Sequence, residues 1–147
     1  MTLCPHVTRA PGERFWAGTV VDASIVAAWL SPDEDGSAAQ SVLERVSAGE
    51  ALTAPWLFWA ELRNILIANE RLGRLADSAV TAFLATLRDL PIALDTSPVE
   101  AQVLEISRKH QLSVYDALYL ELALRFTIPL ASLDRRLMAG AMAEDAA

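Results

Sequence analysis

Short apolar runs alternate with helix-patterned segments along most of this chain, and that alternation restricts its fold more than any other feature. Thr19-Val20-Val21, Ala51-Leu52-Thr53, Pro91 to Asp95 and Ile128 to Ala131 read as strands. Each pair of neighbouring runs is separated by helical sequence, so the strands cannot be joined by tight hairpins. Strands linked through helices align in parallel, and a parallel sheet is covered on both faces. The expected class is therefore α/β.

The helices carry local start and stop signals. One follows Asp22 and continues through Trp29 and Leu30. Ser31-Pro32-Asp33-Glu34 has a cap, a proline for the first helical position and a capping-box acid, and predicts a helix to about Ala48, stopped by Gly49. Pro55 predicts the start of a long helix, WLFWAELRNILIANERLG, ended by Gly73. A further helix is expected over about 76–89. Ser97-Pro98-Val99-Glu100 repeats the cap, proline and box pattern and opens a helix to about His110. Ser113 starts another, VYDALYLELALRF, and Ser132 or Leu133 opens the last.

The 147 residues suit one core, and 53% hydrophobic with 21% charged residues excludes disorder of the whole chain. Residues 1–18 lack periodicity and are expected to form a loose extension. The domain is expected over 19–140, with 141–147 fraying. No apolar run approaches the roughly 20 residues that span a bilayer, and MTLCPHVTRAPGERFWAG lacks a signal-peptide core. A single cysteine, Cys4, excludes an internal disulfide and a cysteine-rich zinc site, and fits a reducing, cytoplasmic setting. The net charge of −7 argues against a protein that coats nucleic acid by electrostatics alone, unless several acids are metal ligands.

Four carboxylates stand beside or inside apolar sequence. Asp22 directly follows two valines, where functional groups collect in parallel sheets; it also suits a helix N-cap. Ser24, two residues on, can bond to a metal-bound water or cap. At about 100° per residue Glu61 shares its helix side with Leu57, Ile65 and Ala68, so it is expected within an apolar stripe. Its alternative role is a structural ion pair with an arginine. Asn64, three residues on, borders the same side and could hold that carboxylate or a phosphate oxygen. Asp116 completes a Ser113-x-x-Asp116 capping box, yet Leu120 and Ala123 place it on an apolar face. Asp134 follows a strand but equally suits a first helical turn. Buried acids need partners or a cation. Four converging acids would favour a hard divalent metal and metal-assisted phosphodiester hydrolysis.

Other candidates are weaker. His110 at a helix end fits the helix dipole better than a metal site, and His6 lies in the extension. Trp16, Trp29, Trp56 and Trp59 suit core or interface more than base stacking. There is no glycine-rich phosphate loop.

The segments VVDASIVAAWL, WAELRNIL, LSVYDALYLELAL and PLASLDRRL, in this order and spacing, resemble the PIN-domain ribonucleases, most closely VapC-type toxins of toxin–antitoxin pairs. The resemblance spans about residues 19–140. It implies a three-layer α/β/α sandwich around a parallel sheet of four or five strands, with an acidic pocket at the strand ends that binds Mg²⁺ or Mn²⁺. It makes Asp22, Glu61, Asp116 and Asp134 the metal-binding catalytic quartet, with Ser24 and Ser132 as its hydroxyl residues. It also implies an RNA substrate, a homodimer and a cognate antitoxin inserted into the active-site groove. The chain departs from the pattern in its longer N-terminal extension and in stopping where a fifth, edge strand often follows.

Two rival functions fit parts of the sequence. An aspartyl-phosphate phosphohydrolase also places an acid after its first strand, but Ser24 stands where its second aspartate is wanted and Lys109 is badly placed. A catalytically silent interaction module of the same fold would not need the acids.

Overall fold

The computed structural model describes residues 18–31 and 36–147. Its frame is a four-stranded parallel sheet of β1 (Thr19–Val21), β2 (Leu52–Pro55), β3 (Ile92–Asp95) and β4 (Leu130–Ala131), in the order β3-β2-β1-β4. Seven helices surround it among the described residues: α1 (Ala23–Ala28), α2 (Ser37–Ser47), α3 (Phe58–Arg71), α4 (Asp77–Thr86), α5 (Glu100–His110), α6 (Val114–Phe126) and α7 (Arg135–Ala143). The expected α/β class holds, with helices on both faces of the sheet. On one side α1 packs on α2 and α3; on the other α6 lies against β1 and β2 and carries α5 and α7.

Burial follows the sequence pattern. Val20, Val21, Leu52 and Ala54 are fully enclosed, as strands covered on both faces should be. Every residue of α6 from Ala117 to Ala123 is buried, so the nearly continuous apolar run of VYDALYLELAL is that of a central helix. In α3 the buried stripe is Phe58, Leu62 and Leu66.

Several expected boundaries move. Pro55 is the last residue of β2, and α3 begins at Phe58. The missing N–H is tolerated because β1 pairs with β2 only as far as Thr53, while Pro55 sits opposite Asp95 of β3. Ser97 does not cap α5. Val99 is its N-cap residue, and the Val99 N–H donates instead to Glu121 at 3.2 Å. The Ile128 to Ala131 strand shortens to Leu130–Ala131, and Asp134, not Ser132 or Leu133, caps α7. Pro32 to Glu34 of the capping box expected after Ser31 lie outside the described residues, as do residues 1–17 of the expected extension.

Gly18 is tightly placed. It has φ +83°, and a Cβ there would stand 1.9 Å from the Ala51 carbonyl oxygen, so glycine alone fits. The chain's last residues are also held rather than frayed. Ala146 is buried, and its carbonyl accepts the Leu130 N–H at 2.7 Å. That bond satisfies an open backbone donor on the outer side of β4, where a fifth strand would pair.

Candidate active site

β1 lies between β2 and β4: the chain runs from β1 outwards through β2 to β3 and then crosses back to the other edge of β1 as β4. In open parallel sheets the crevice at such a reversal, beyond the carboxyl ends of the strands, is the natural ligand site. Asp22 directly follows β1 at this point, and Ser132 and Asp134 follow β4 across from it.

Asp22 is 8% exposed and carries a set of donors fixed by the local fold. As the N-cap of α1 it accepts the Ser24 N–H at 2.6 Å, and the Ser24 hydroxyl donates to the same oxygen. Its second oxygen accepts the Ser132 hydroxyl at 2.8 Å. Each hydroxyl is itself an acceptor: Ser24 Oγ takes the Leu133 N–H and Ser132 Oγ takes the Asp134 N–H, both at 2.9 Å. The serines therefore tie the end of β1 to the β4–α7 turn and aim their protons at Asp22. Burial pushes the Asp22 carboxyl above its ordinary range, the serine bonds oppose this, and the charge of Asp134 adds to it.

Glu61, in the first turn of α3, is half-buried at the margin of the apolar face rather than within it. Tyr119 of α6 donates to Glu61 Oε1 at 2.8 Å. No arginine pairs with Glu61 among the described residues. Its carboxyl is raised first by burial, then by the charges of Asp22 and Asp116. Asp116 is partly buried in the first turn of α6, where the Ser113 hydroxyl accepts its N–H at 3.1 Å. Burial raises its carboxyl too, with contributions from Asp134 and Asp22. Tyr119 is enclosed, and its hydroxyl is pushed far up by burial and by Glu61, which keeps it a donor. Asp134 is exposed and accepts the Leu137 N–H at 2.9 Å as the cap of α7.

The four acids thus come from four separate parts of the chain, and charges among them help to raise Asp22, Glu61 and Asp116. Ser24 and Ser132 sit among them. Asn64 is exposed on α3, and no hydrogen bond joins it to Glu61 among the described residues. Two residues were not anticipated. Tyr119 lies one turn after Asp116 on the same helix, and a hydroxyl inside the α6 apolar run was its available signal. Asn69 lines, with Ser24, Ser31, Ile65, Leu133 and Asp134, a cleft of about 260 Å³ beside the acids. His110 pairs with Glu144 at 2.8 Å and with none of the four acids. Trp29 donates to the Ala39 carbonyl at 3.0 Å, and Trp56 is 55% exposed.

The donor set is all hard oxygen, and the charges repel one another, which suits a hard divalent cation. Among the described residues no three His, Cys, Asp or Glu side chains form a group able to enclose a metal ion as they stand.

The family model for the PIN domain matches residues 19–141. The chain belongs to the PIN-domain family. This PIN domain is also similar in structure to PAE2754 from Pyrobaculum aerophilum, with 25% identity, TM-score 0.66, and coverage of 84% of this chain and 86% of that one. It shares its fold with Mycobacterium tuberculosis VapC20, a Sarcin-Ricin loop cleaving toxin, at 20% identity and TM-score 0.59, covering 82% of this chain and 93% of that one. No curated protein matches the sequence. Family and fold together place this PIN domain among nuclease-type domains. No described helix is long and apolar enough to cross a membrane.

Proposed function

We propose that this PIN domain is a metal-dependent endoribonuclease and the toxin of a type II toxin–antitoxin pair. One observation carries the reading: Asp22, Glu61 and Asp116, at the carboxyl ends of a parallel sheet, are each raised by burial and by the charge of at least one other acid of the quartet. Such repulsion is costly to maintain without a task. The fold shared with a Sarcin-Ricin loop cleaving toxin favours RNA as substrate.

In this reading Asp22, Glu61 and Asp116 hold Mg²⁺ or Mn²⁺, directly or through water, with Asp134 at the margin of the site. When bound, such a cation supplies a more acidic water and offsets charge developing at phosphorus. Ser24 and Ser132 fix both oxygens of Asp22, so that the carboxylate presents a constant geometry. Tyr119 fixes Glu61 from the buried side, and the other oxygen has no hydrogen-bond partner among the described residues. Asp134, exposed at the start of α7, is placed to accept a proton from water or to steady it by a hydrogen bond. With both of its oxygens engaged by hydroxyls, Asp22 is a poor nucleophile, which disfavours an aspartyl-phosphate intermediate.

Cleavage of single-stranded RNA in Mg²⁺ or Mn²⁺ tests the assignment. Wild type should cut, and Asp22→Asn purified identically should lose at least about a hundredfold in rate, the scale of a lost charge-stabilising group. Equal cleavage by the two proteins would refute it. A homodimer in the cytoplasm and a cognate antitoxin complete the proposal. The acidic cleft predicts that this antitoxin inserts an arginine reaching Glu61 or Asp116. A complex with no cationic side chain in the cleft would contradict that.

A further inference from the structure

We infer that the pocket between the end of α5 and the start of α7 binds an internucleotide phosphate of the RNA strand, next to the one cleaved. The inference rests on the ribonuclease reading. The pocket has a volume of about 300 Å³ and is lined by His110, Gln111, Arg136, Ala139 and Gly140. Its floor is shaped by Gly140. A Cβ there would press on Leu120 at 3.3 Å and on the His110 ring at 3.5 Å, so the glycine lets α7 lie close against the end of α5.

Arg136 supplies the charge. It is exposed and has no ion pair among the described residues, whereas Arg45 and Arg125 each face an acid. Glu144, the partner of the pocket's His110 at 2.8 Å, is also taken by Lys109. Arg136 stands two residues after Asp134, the cap of α7, whose charge is felt at both Asp22 and Asp116. The first turn of α7 therefore separates the acidic cleft from the arginine pocket. A strand with one phosphate at the acids can lay a neighbouring phosphate over that turn. In a chain of net charge −7, an unpaired guanidinium beside the cleft offers a phosphate a forked donor where most of the surface repels it. A contact of this kind sets the position of the strand and carries no sequence preference. Arg136 is thus a positioning residue.

Steady-state RNA cleavage by the full chain tests the pocket, with wild type, Arg136→Gln, Arg136→Lys and a distant exposed control, Arg88→Gln. Arg136→Gln should raise KM by about tenfold, leave kcat within about twofold, and flatten the dependence of log(kcat/KM) on log salt by about 0.7, one phosphate contact on a single strand. Arg136→Lys should restore the salt slope, and Arg88→Gln should match wild type. If Arg136→Gln keeps the wild-type KM and salt slope, or loses kcat alone, the pocket is not a phosphate site while the ribonuclease reading stands. A wild type that cleaves no RNA overturns both.

Discussion

At the scale of single residues, the site opposes stability. Glu61 is held between a buried hydroxyl that favours its charge and two acids that disfavour it. The two influences separate by mutation. Glu61→Gln keeps an oxygen for Tyr119 and removes the repulsion, so it should stabilise the metal-free protein by up to about 1 kcal/mol, limited by solvent screening of a half-exposed group. The same change should abolish cleavage. Tyr119→Phe removes the donor and leaves the repulsion, and should destabilise by about 1 kcal/mol. Urea unfolding of the three proteins distinguishes this from a structural salt bridge. In that case Glu61→Gln would be the destabilising change. The apolar run before Asp22 and the helical spacing around Glu61 drew attention to both acids in the sequence, although Glu61 stands at the margin of its stripe and not within it. Tyr119 was not, because its role depends on α3 and α6 meeting, a contact between residues 58 positions apart.

At the scale of elements, α5 shows how a helix end can be completed from elsewhere in the chain. Ser97-Pro98-Val99-Glu100 has a local start signal, yet the Val99 N–H goes to Glu121, which is itself 2% exposed. Arg125 makes that burial possible. It donates to Glu121 at 2.7 Å and 3.1 Å, and to Asp95 at 2.6 Å and 3.3 Å, joining β3, α5 and α6. Removing the guanidinium leaves two enclosed carboxylates without a counter-charge. Arg125→Ala should therefore cost about 3 kcal/mol or more. A thermal shift of less than about 2 °C would show that the network contributes little. The start of α5 was misread from sequence because tertiary contact displaced a local cap. The start of α3 was misread for a related reason. Proline suits a first helical turn, but it also suits a strand end whose neighbour has already stopped. By contrast, the α1 and α6 starts at Asp22 and Ser113 were legible, since those caps are satisfied within three residues.

At the scale of the whole molecule, the acids link folding to protons and to metal. Asp22, Glu61 and Asp116 are all raised in the folded state, so the folded protein binds their protons more tightly than the unfolded chain does. Their charged forms oppose folding at neutral pH. That opposition is relieved as pH falls through the raised values towards the ordinary carboxylate range near about 4. Glu144 has the opposite sign: Lys109 and His110 lower it, so its contribution is lost only below the ordinary range and does not cancel the gain above it. Metal-free protein should therefore melt at a higher temperature at about pH 5 than at about pH 7. A divalent cation competes for the same carboxylates and stabilises only where they are charged. Excess Mn²⁺ should raise the melting temperature most at neutral pH and least at acid pH, reversing the order seen without it. The four-stranded sheet and its helices make this coupling global, because the acids are carried by β1, α3, α6 and the β4–α7 turn, and all four must hold position for the repulsion to exist. Scanning calorimetry with and without Mn²⁺ at the two pH values reads the effect directly. Steady loss of stability from neutral to acid pH in the metal-free protein would show that the carboxylates do not share one field.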